Sequence, residues 1–383
     1  MNALRCTSAI SLSLLTALLA GSPASAAEPE RRAPNGGGTL DARAAQEDLT
    51  LAQRRAIQSD IDRSIADLER QGLLDPPGEA VTRLTVWPVA PSSRLKEPNV
   101  YGISNFVDHD GRNPGRVRDY FCGERTYDLA GYDHGGTDIF SWPFGWSRMD
   151  RNDVRVVAAA PGTIVYKASG NPDRSCGFNG SDWNAVYVRH ADGTVAWYGH
   201  LKRNSLTSKA VGAKVAAGEF LGVVGSSGSS TGPHLHLELH DATGDELHPF
   251  AGACRPGVTR WKKQPPYYLP TINKVATHGA PPEFPGCPAT YDVENFKTSF
   301  ARGDTIVFAV YLRDQLAGEE VLYRLYGPGN TLVDSWIQDG SDVYYVASYW
   351  YWIGSIPDDA AAGTYRLRVD YSGKFLEQRY KVN

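Results

Sequence analysis

Residues 222–240 read GVVGSSGSSTGPHLHLELH, and the last seven alternate without a break. Side chains on a strand point to opposite faces with period two, so His234, His236, Glu238 and His240 share one face and Leu235, Leu237 and Leu239 the other. The leucine face predicts a core, and the histidine face sets two imidazoles about 6–7 Å apart. Upstream, residues 154–158, 163–167, 184–190 and 194–199 carry the same strand signal, with Pro161-Gly162 and Asp192-Gly193 as turns between them, and residues 218–225 continue the pattern. The period changes near the N-terminus. Ile57, Ile61, Ile65 and Leu68 recur at helical spacing and predict a helix over 50–71, stopped by Gly72 and Pro76-Pro77.

After a Pro-rich stretch at 256–288, strand patterns return at 305–313, 320–326, 331–338, 344–352 and 364–371, which suits a small β-sandwich of Ig-like type over 289–383. The aromatic run 344–352 reads as core and domain-interface packing, with a sugar-binding face as the other reading. The fold class is therefore mainly β: an antiparallel β domain over 85–255, a C-terminal β-sandwich and a short N-terminal helix. Residues 27–41 are polar, with Pro29, Pro34 and three consecutive glycines, and are expected to be disordered, so 27–84 is a disordered segment followed by the helix. That helix reads as an arm on the 85–255 domain, with a propeptide or a partner-binding element as alternatives.

Composition narrows the setting. Residues 1–26 have the form of a secretory signal peptide: Arg5, a short apolar run over 10–19, and Ala24-Ser25-Ala26 at the cleavage position. That run is too short for a membrane span. The expected product is secreted or periplasmic. Without Cys6, the four cysteines Cys122, Cys176, Cys254 and Cys287 suit two disulfides in an exported chain. Three pairings are open, and we expect Cys122–Cys176 and Cys254–Cys287. A formal net charge of −4 gives no reason to expect nucleic-acid binding.

The chemistry gathers in three places. Tyr132-Asp133-His134-Gly135-Gly136-Thr137-Asp138 sets a His and an Asp four residues apart across a glycine pair that lets both aim at one ion. Val195-Ala196-Trp197-Tyr198-Gly199-His200 ends a strand on a histidine, and His234-x-His236 follows the Gly/Ser loop. Asp108-His109-Asp110 reads as an acidic turn, with metal binding as the alternative. His190, His240, His248 and His278 read as exposed.

On these motifs the chain resembles the lysostaphin/β-lytic family of zinc metalloendopeptidases, which act on peptidoglycan, over roughly residues 85–255. The resemblance implies a compact antiparallel β fold with a substrate groove over one Zn²⁺. It implies His134, Asp138 and His236 as zinc ligands and His200 and His234 as the catalytic histidines. Two imidazoles and a carboxylate leave zinc an open position, as a catalytic site requires, and lower the pKa of bound water to about 7. His234 is the better candidate for general base, with His200 at the developing oxyanion or positioning the base, although these roles could be reversed. Some relatives use a tyrosine at the oxyanion, and Tyr127 and Tyr132 lie upstream of the ligand motif. Glu238 reads either as a carboxylate orienting a ligand or as a surface group. The loop 225–232 suits both close approach of a substrate backbone and a tight connection.

The expected activity is hydrolysis of peptide bonds in peptidoglycan stem peptides or cross-links. The alternatives are a secreted protease cutting Gly-rich proteins and a non-catalytic wall-binding or activator protein on the same fold.

Overall fold

The computed structural model describes residues 29–40, 49–129 and 131–383. The signal-peptide expectation lies outside the described residues. Among the described residues the chain is mainly β, with two α-helices, and no helix is long and apolar enough to cross a membrane.

The strands expected between 154 and 240 form, and their alternation decides how they stack. A seven-stranded sheet runs in the order Lys214–Val215, Gly162–Ala168, Ala185–Arg189, Val195–Gly199, His234–His240, Thr137–Ser141, Tyr101–Asn105. Neighbours in this sheet are antiparallel. One face of it carries Ile164, Val186, Val188, Ala196, Tyr198, Leu235, Leu237 and Leu239 into the main core. A smaller sheet of Val89–Pro91, Val154–Val157 and Phe220–Val223 contributes Val89, Val154, Val156 and Leu221 to the same core. The leucines of the His234–His240 strand are thus inside, and its histidine face is left for other work.

That other face is covered by helix α1, Leu51–Arg70. Thr50 caps it: its Oγ1 accepts from the Gln53 N–H at 3.2 Å while Gln53 Oε1 accepts from the Thr50 N–H at 2.9 Å. This reciprocal capping box is worth about 1 kcal/mol. Ile61 and Leu68, with Ile57 and Ile65, pack on Val165, Trp183, Tyr187 and Trp197. A second helix, α2 (Gly145–Arg151), is a short turn that the sequence patterns do not mark.

The C-terminal unit is a two-sheet sandwich. A sheet ordered Thr271–His278, Thr305–Gln315, Tyr345–Ser355, Gly36–Leu40 faces one ordered Glu30–Arg31, Leu332–Gln338, Val321–Tyr326, Gly363–Tyr371, Lys374–Val382, Ser299–Phe300. Ile272, Val310, Leu312 and Trp352 of the first meet Val321, Tyr323, Trp336, Leu367 and Val369 of the second. The aromatic run therefore divides, with Trp352 inside the sandwich while Tyr349 and Tyr351 pack near Trp142 and Phe144, just after the Thr137–Ser141 strand.

Three expectations are corrected. The stretch expected to be disordered contains two strands, Glu30–Arg31 and Gly36–Leu40, each added to an edge of the C-terminal sandwich. A Cβ on Gly37 would lie 2.4 Å from the Trp350 ring, so small residues are needed where this strand crosses the aromatic run. The Pro-rich connection holds the strand Thr271–His278, which pairs along Thr305–Gln315. The disulfides are Cys122–Cys254 and Cys176–Cys287, with Cα atoms 5.1 and 5.5 Å apart, not the pairing expected. The fold brings together cysteines more than a hundred residues apart, which nearness in sequence does not reveal.

Candidate metal centre

The site is assembled by strand register. His236 lies opposite Asp138 on one side and opposite Gly199 on the other, so the two strands flanking His236 deliver Asp138 and, one residue past Gly199, His200. His134 sits just before the Thr137–Ser141 strand. The intervening Gly136 is required by close approach, since a Cβ there would lie 2.3 Å from His236 Nε2. Gly199 meets a similar demand: a Cβ would lie 2.5 Å from the Trp183 ring, which stands edge-on to His200. His200 itself takes φ +58, a left-handed turn that swings its ring off the strand.

His134, Asp138 and His236 are fully buried, and one ligand atom from each lies within 4.8 Å of the others. His134 Nε2 is 3.2 Å from Asp138 Oδ2, and His236 Nδ1 is 2.9 Å from Asp138 Oδ1. The remote nitrogens are held by acceptors. His134 Nδ1 lies 2.8 Å from the Phe106 carbonyl, and His236 Nε2 lies 2.8 Å from Glu238 Oε1. A neutral imidazole that donates from one nitrogen presents a lone pair at the other, so these bonds aim His134 Nε2 and His236 Nδ1 into the cluster. Tyr127 stacks on His134 at 4.2 Å, and its hydroxyl and the Asn105 amide donate to Asp138 Oδ2 at 3.3 and 3.2 Å. Burial would push the Asp138 carboxyl up, but His134 and His236, when they carry a proton toward it, hold it well below the usual carboxylate range, so the carboxyl is anionic whether it faces protons or an ion. Two imidazole lone pairs and an ionised carboxylate converging in a buried site fit a zinc ion.

His200 and His234 flank this cluster, their ring centroids 4.5 Å apart. His200 Nδ1 is 2.6 Å from the Ser227 carbonyl and His234 Nδ1 is 2.8 Å from the Gly232 carbonyl. His234 Nε2 is 3.9 Å from Asp138 Oδ1. The Gly/Ser loop therefore orients both histidines through its main chain. It is itself held by buried serines: Ser227 Oγ accepts from the Asn184 N–H and donates to the Leu201 carbonyl. All five residues expected from the sequence come together here.

Of the two readings of Glu238, a carboxylate orienting a ligand or a surface group, the structure excludes the surface one. Glu238 is fully buried and accepts from His236, His240 and both terminal nitrogens of Arg54, the last two at 2.6 Å. His190, His240 and His278 are buried, correcting the exposed reading. His190 Nδ1 meets the Pro161 carbonyl, His240 stacks on Trp197 at 4.2 Å, and His278 lies under Tyr311. His248 is partly buried against His109. Asp108 accepts from the N–H groups of Asp110 and Arg118, so the Asp-His-Asp cluster is a turn. Tyr132 lies under the Arg54 guanidinium and its hydroxyl donates to the Leu49 carbonyl, whereas the Tyr127 hydroxyl reaches Asp138.

The sequence profile of peptidase family M23 matches residues 144–249, a stretch that includes His200, His234 and His236. The chain carries an M23 peptidase domain. His134 and Asp138 precede the matched stretch and join it through strand pairing. Over 98 residues the chain is 42% identical to the DD-carboxypeptidase/endopeptidase Mpg of Neisseria meningitidis, covering 26% of this chain and 20% of that protein. Over 81 residues it is 34% identical to the peptidoglycan DD-endopeptidase ShyC of Vibrio cholerae, covering 21% and 18%. This chain thus spans about a fifth of the length of these relatives. Among solved structures, the catalytic domain of the prophage-encoded M23 protein EnpA from Enterococcus faecalis matches at 30% identity. That match has a TM-score of 0.26 and covers 42% of this chain and 94% of that domain.

Proposed function

We propose that the protein is a zinc metalloendopeptidase that hydrolyses peptide bonds in bacterial peptidoglycan outside the cytoplasmic membrane. The observation that carries this is the placement of His200 and His234 beside the His134–Asp138–His236 cluster, inside a domain whose relatives are named peptidoglycan DD-endopeptidases. A protein that only held a structural ion would have no use for two more histidines with fixed tautomers at its edge.

In this reading His134 Nε2, an oxygen of Asp138 and His236 Nδ1 hold the ion. A zinc ion held by these residues would supply Lewis acidity, lowering the pKa of water to about 7 and polarising a carbonyl. His234, held by the Gly232 carbonyl and facing Asp138, accepts the proton of the attacking water through Nε2 and passes it to the leaving amine. His200, whose Nδ1–H donates to the Ser227 carbonyl, turns Nε2 toward the reacting atoms: as the imidazolium it donates from Nε2–H to the developing oxyanion, and as the neutral ring its Nε2 lone pair positions the attacking water beside His234. Tyr127 positions His134 and Asp138 and so supports the ligands. Two disulfides fit an oxidising compartment.

The test is digestion of purified peptidoglycan followed by mass analysis of the released fragments. New free amino groups at one type of peptide bond are the expected result. Fragments bearing only cleaved sugar linkages would overturn the endopeptidase assignment.

A further inference from the structure

We propose that Arg54, on helix α1, is a positioning residue for the metal centre, acting through Glu238 on His236. The proposal rests on the zinc reading above and extends it to a segment outside the matched M23 domain.

The His234–His240 strand places His236 and Glu238 on one face two residues apart. Glu238 Oε1 accepts from His236 Nε2 at 2.8 Å, which leaves Nδ1 as the lone pair facing Asp138. The orientation of His236 is therefore only as fixed as the Glu238 carboxylate. That carboxylate has no solvent contact and sits on a side chain with free torsions, so its plane is set only by its partners, one imidazole on each oxygen and Arg54. Arg54 removes that freedom. Its two terminal nitrogens meet the two carboxylate oxygens at 2.6 Å each, the planar fork-to-fork pairing that fixes both position and plane.

Arg54 is itself held from several sides. Its guanidinium lies 5.1 Å from the Tyr132 ring centroid and 5.5 Å from that of Trp197, and its side chain is 13% exposed. The helix that carries it is fixed by the Thr50 cap and by Gln53, which donates to the Gly180 carbonyl and to Asp182. The guanidinium also supplies the positive charge that a buried carboxylate requires. Relays from a carboxylate through imidazole to a metal are general, and their loss costs roughly 10- to 100-fold in metal affinity. Here the relay has a further member, contributed by a helix more than a hundred residues away in sequence.

The experiment measures zinc affinity of the full chain by competition with a chromophoric chelator, alongside a melting curve. It compares wild type, Arg54→Gln, Arg54→Lys, Glu238→Gln and the Arg54→Gln/Glu238→Gln pair. We expect Arg54→Gln to weaken zinc binding roughly 10- to 100-fold and Arg54→Lys to recover part of the loss. In the Glu238→Gln background the Arg54 substitution should change affinity by less than about threefold, because both act on one relay. A solely structural Arg54 would lower the melting temperature and leave zinc affinity equal to wild type, which would overturn the proposal. If Arg54→Gln does not fold, Arg54→Lys decides alone: wild-type zinc affinity in it would overturn the proposal and a several-fold loss would support it. Zinc bound by neither wild type nor variants would overturn the metal-centre reading itself.

Discussion

The imidazoles of His200 and His234 lie 4.5 Å apart, and each gives its Nδ1 to a main-chain carbonyl of one Gly/Ser loop. The pairing sets two Nε2 atoms at the edge of the His134–Asp138–His236 cluster without making either residue one of the three. Replacing His234 by Ala should therefore lower turnover on peptidoglycan by about 10²–10⁴-fold while zinc content stays at wild-type level. Turnover is read by fragment release and zinc by elemental analysis of the same sample. Loss of zinc in that variant would make His234 a ligand instead.

Asp138 occupies a different position, between the imidazoles of His134 and His236 and with no solvent contact. Asp138→Ala should lose zinc on gel filtration and show no measurable hydrolysis, and a chelator should do the same to wild type. A variant that keeps one equivalent of zinc through the column would remove Asp138 from the ligand set.

Glu246 gives a prediction about pH. Burial, then the nearby Glu238 charge, push its carboxyl up to about 7 from an ordinary 4.5. The folded protein then holds this proton more tightly than the unfolded chain. The stability that follows is fully present below about pH 4.5 and is lost as pH rises toward 7 and above. Glu246→Gln never ionises, so its melting temperature should exceed wild type by about 2–4 °C at pH 8 and differ little at pH 4.5. An equal shift at both pH values would contradict this.

The disulfides can be tested as pairs. Peptide mapping without reduction should recover Cys122 linked to Cys254 and Cys176 linked to Cys287. The Cys122→Ser/Cys254→Ser variant should lose about 2–5 kcal/mol in denaturant unfolding. A Cys122–Cys176 peptide would contradict the fold described.

What the sequence disclosed and what it hid follow from the range of the interactions involved. Alternation is local, so the strand carrying His234 and His236 and the five histidine and aspartate positions were legible, as was helix α1. Glu238 could be placed on the histidine face but not judged buried, because its burial depends on Arg54, which reaches it from 184 residues away. The strand Gly36–Leu40 was hidden by its glycines, which look like a linker until Trp350 and Tyr351 are set against them. Thr271–His278 was hidden among prolines, and the disulfides depended on which distant loops the fold brings together.

The most direct test of the central claim is the turbidity of purified peptidoglycan incubated with the full chain, with and without a zinc chelator, followed by return of zinc. The account predicts clearing that the chelator stops and added zinc restores, with new peptide amino termini appearing in step. Protein that demonstrably holds zinc at His134, Asp138 and His236 yet clears nothing and releases no amino termini would contradict it.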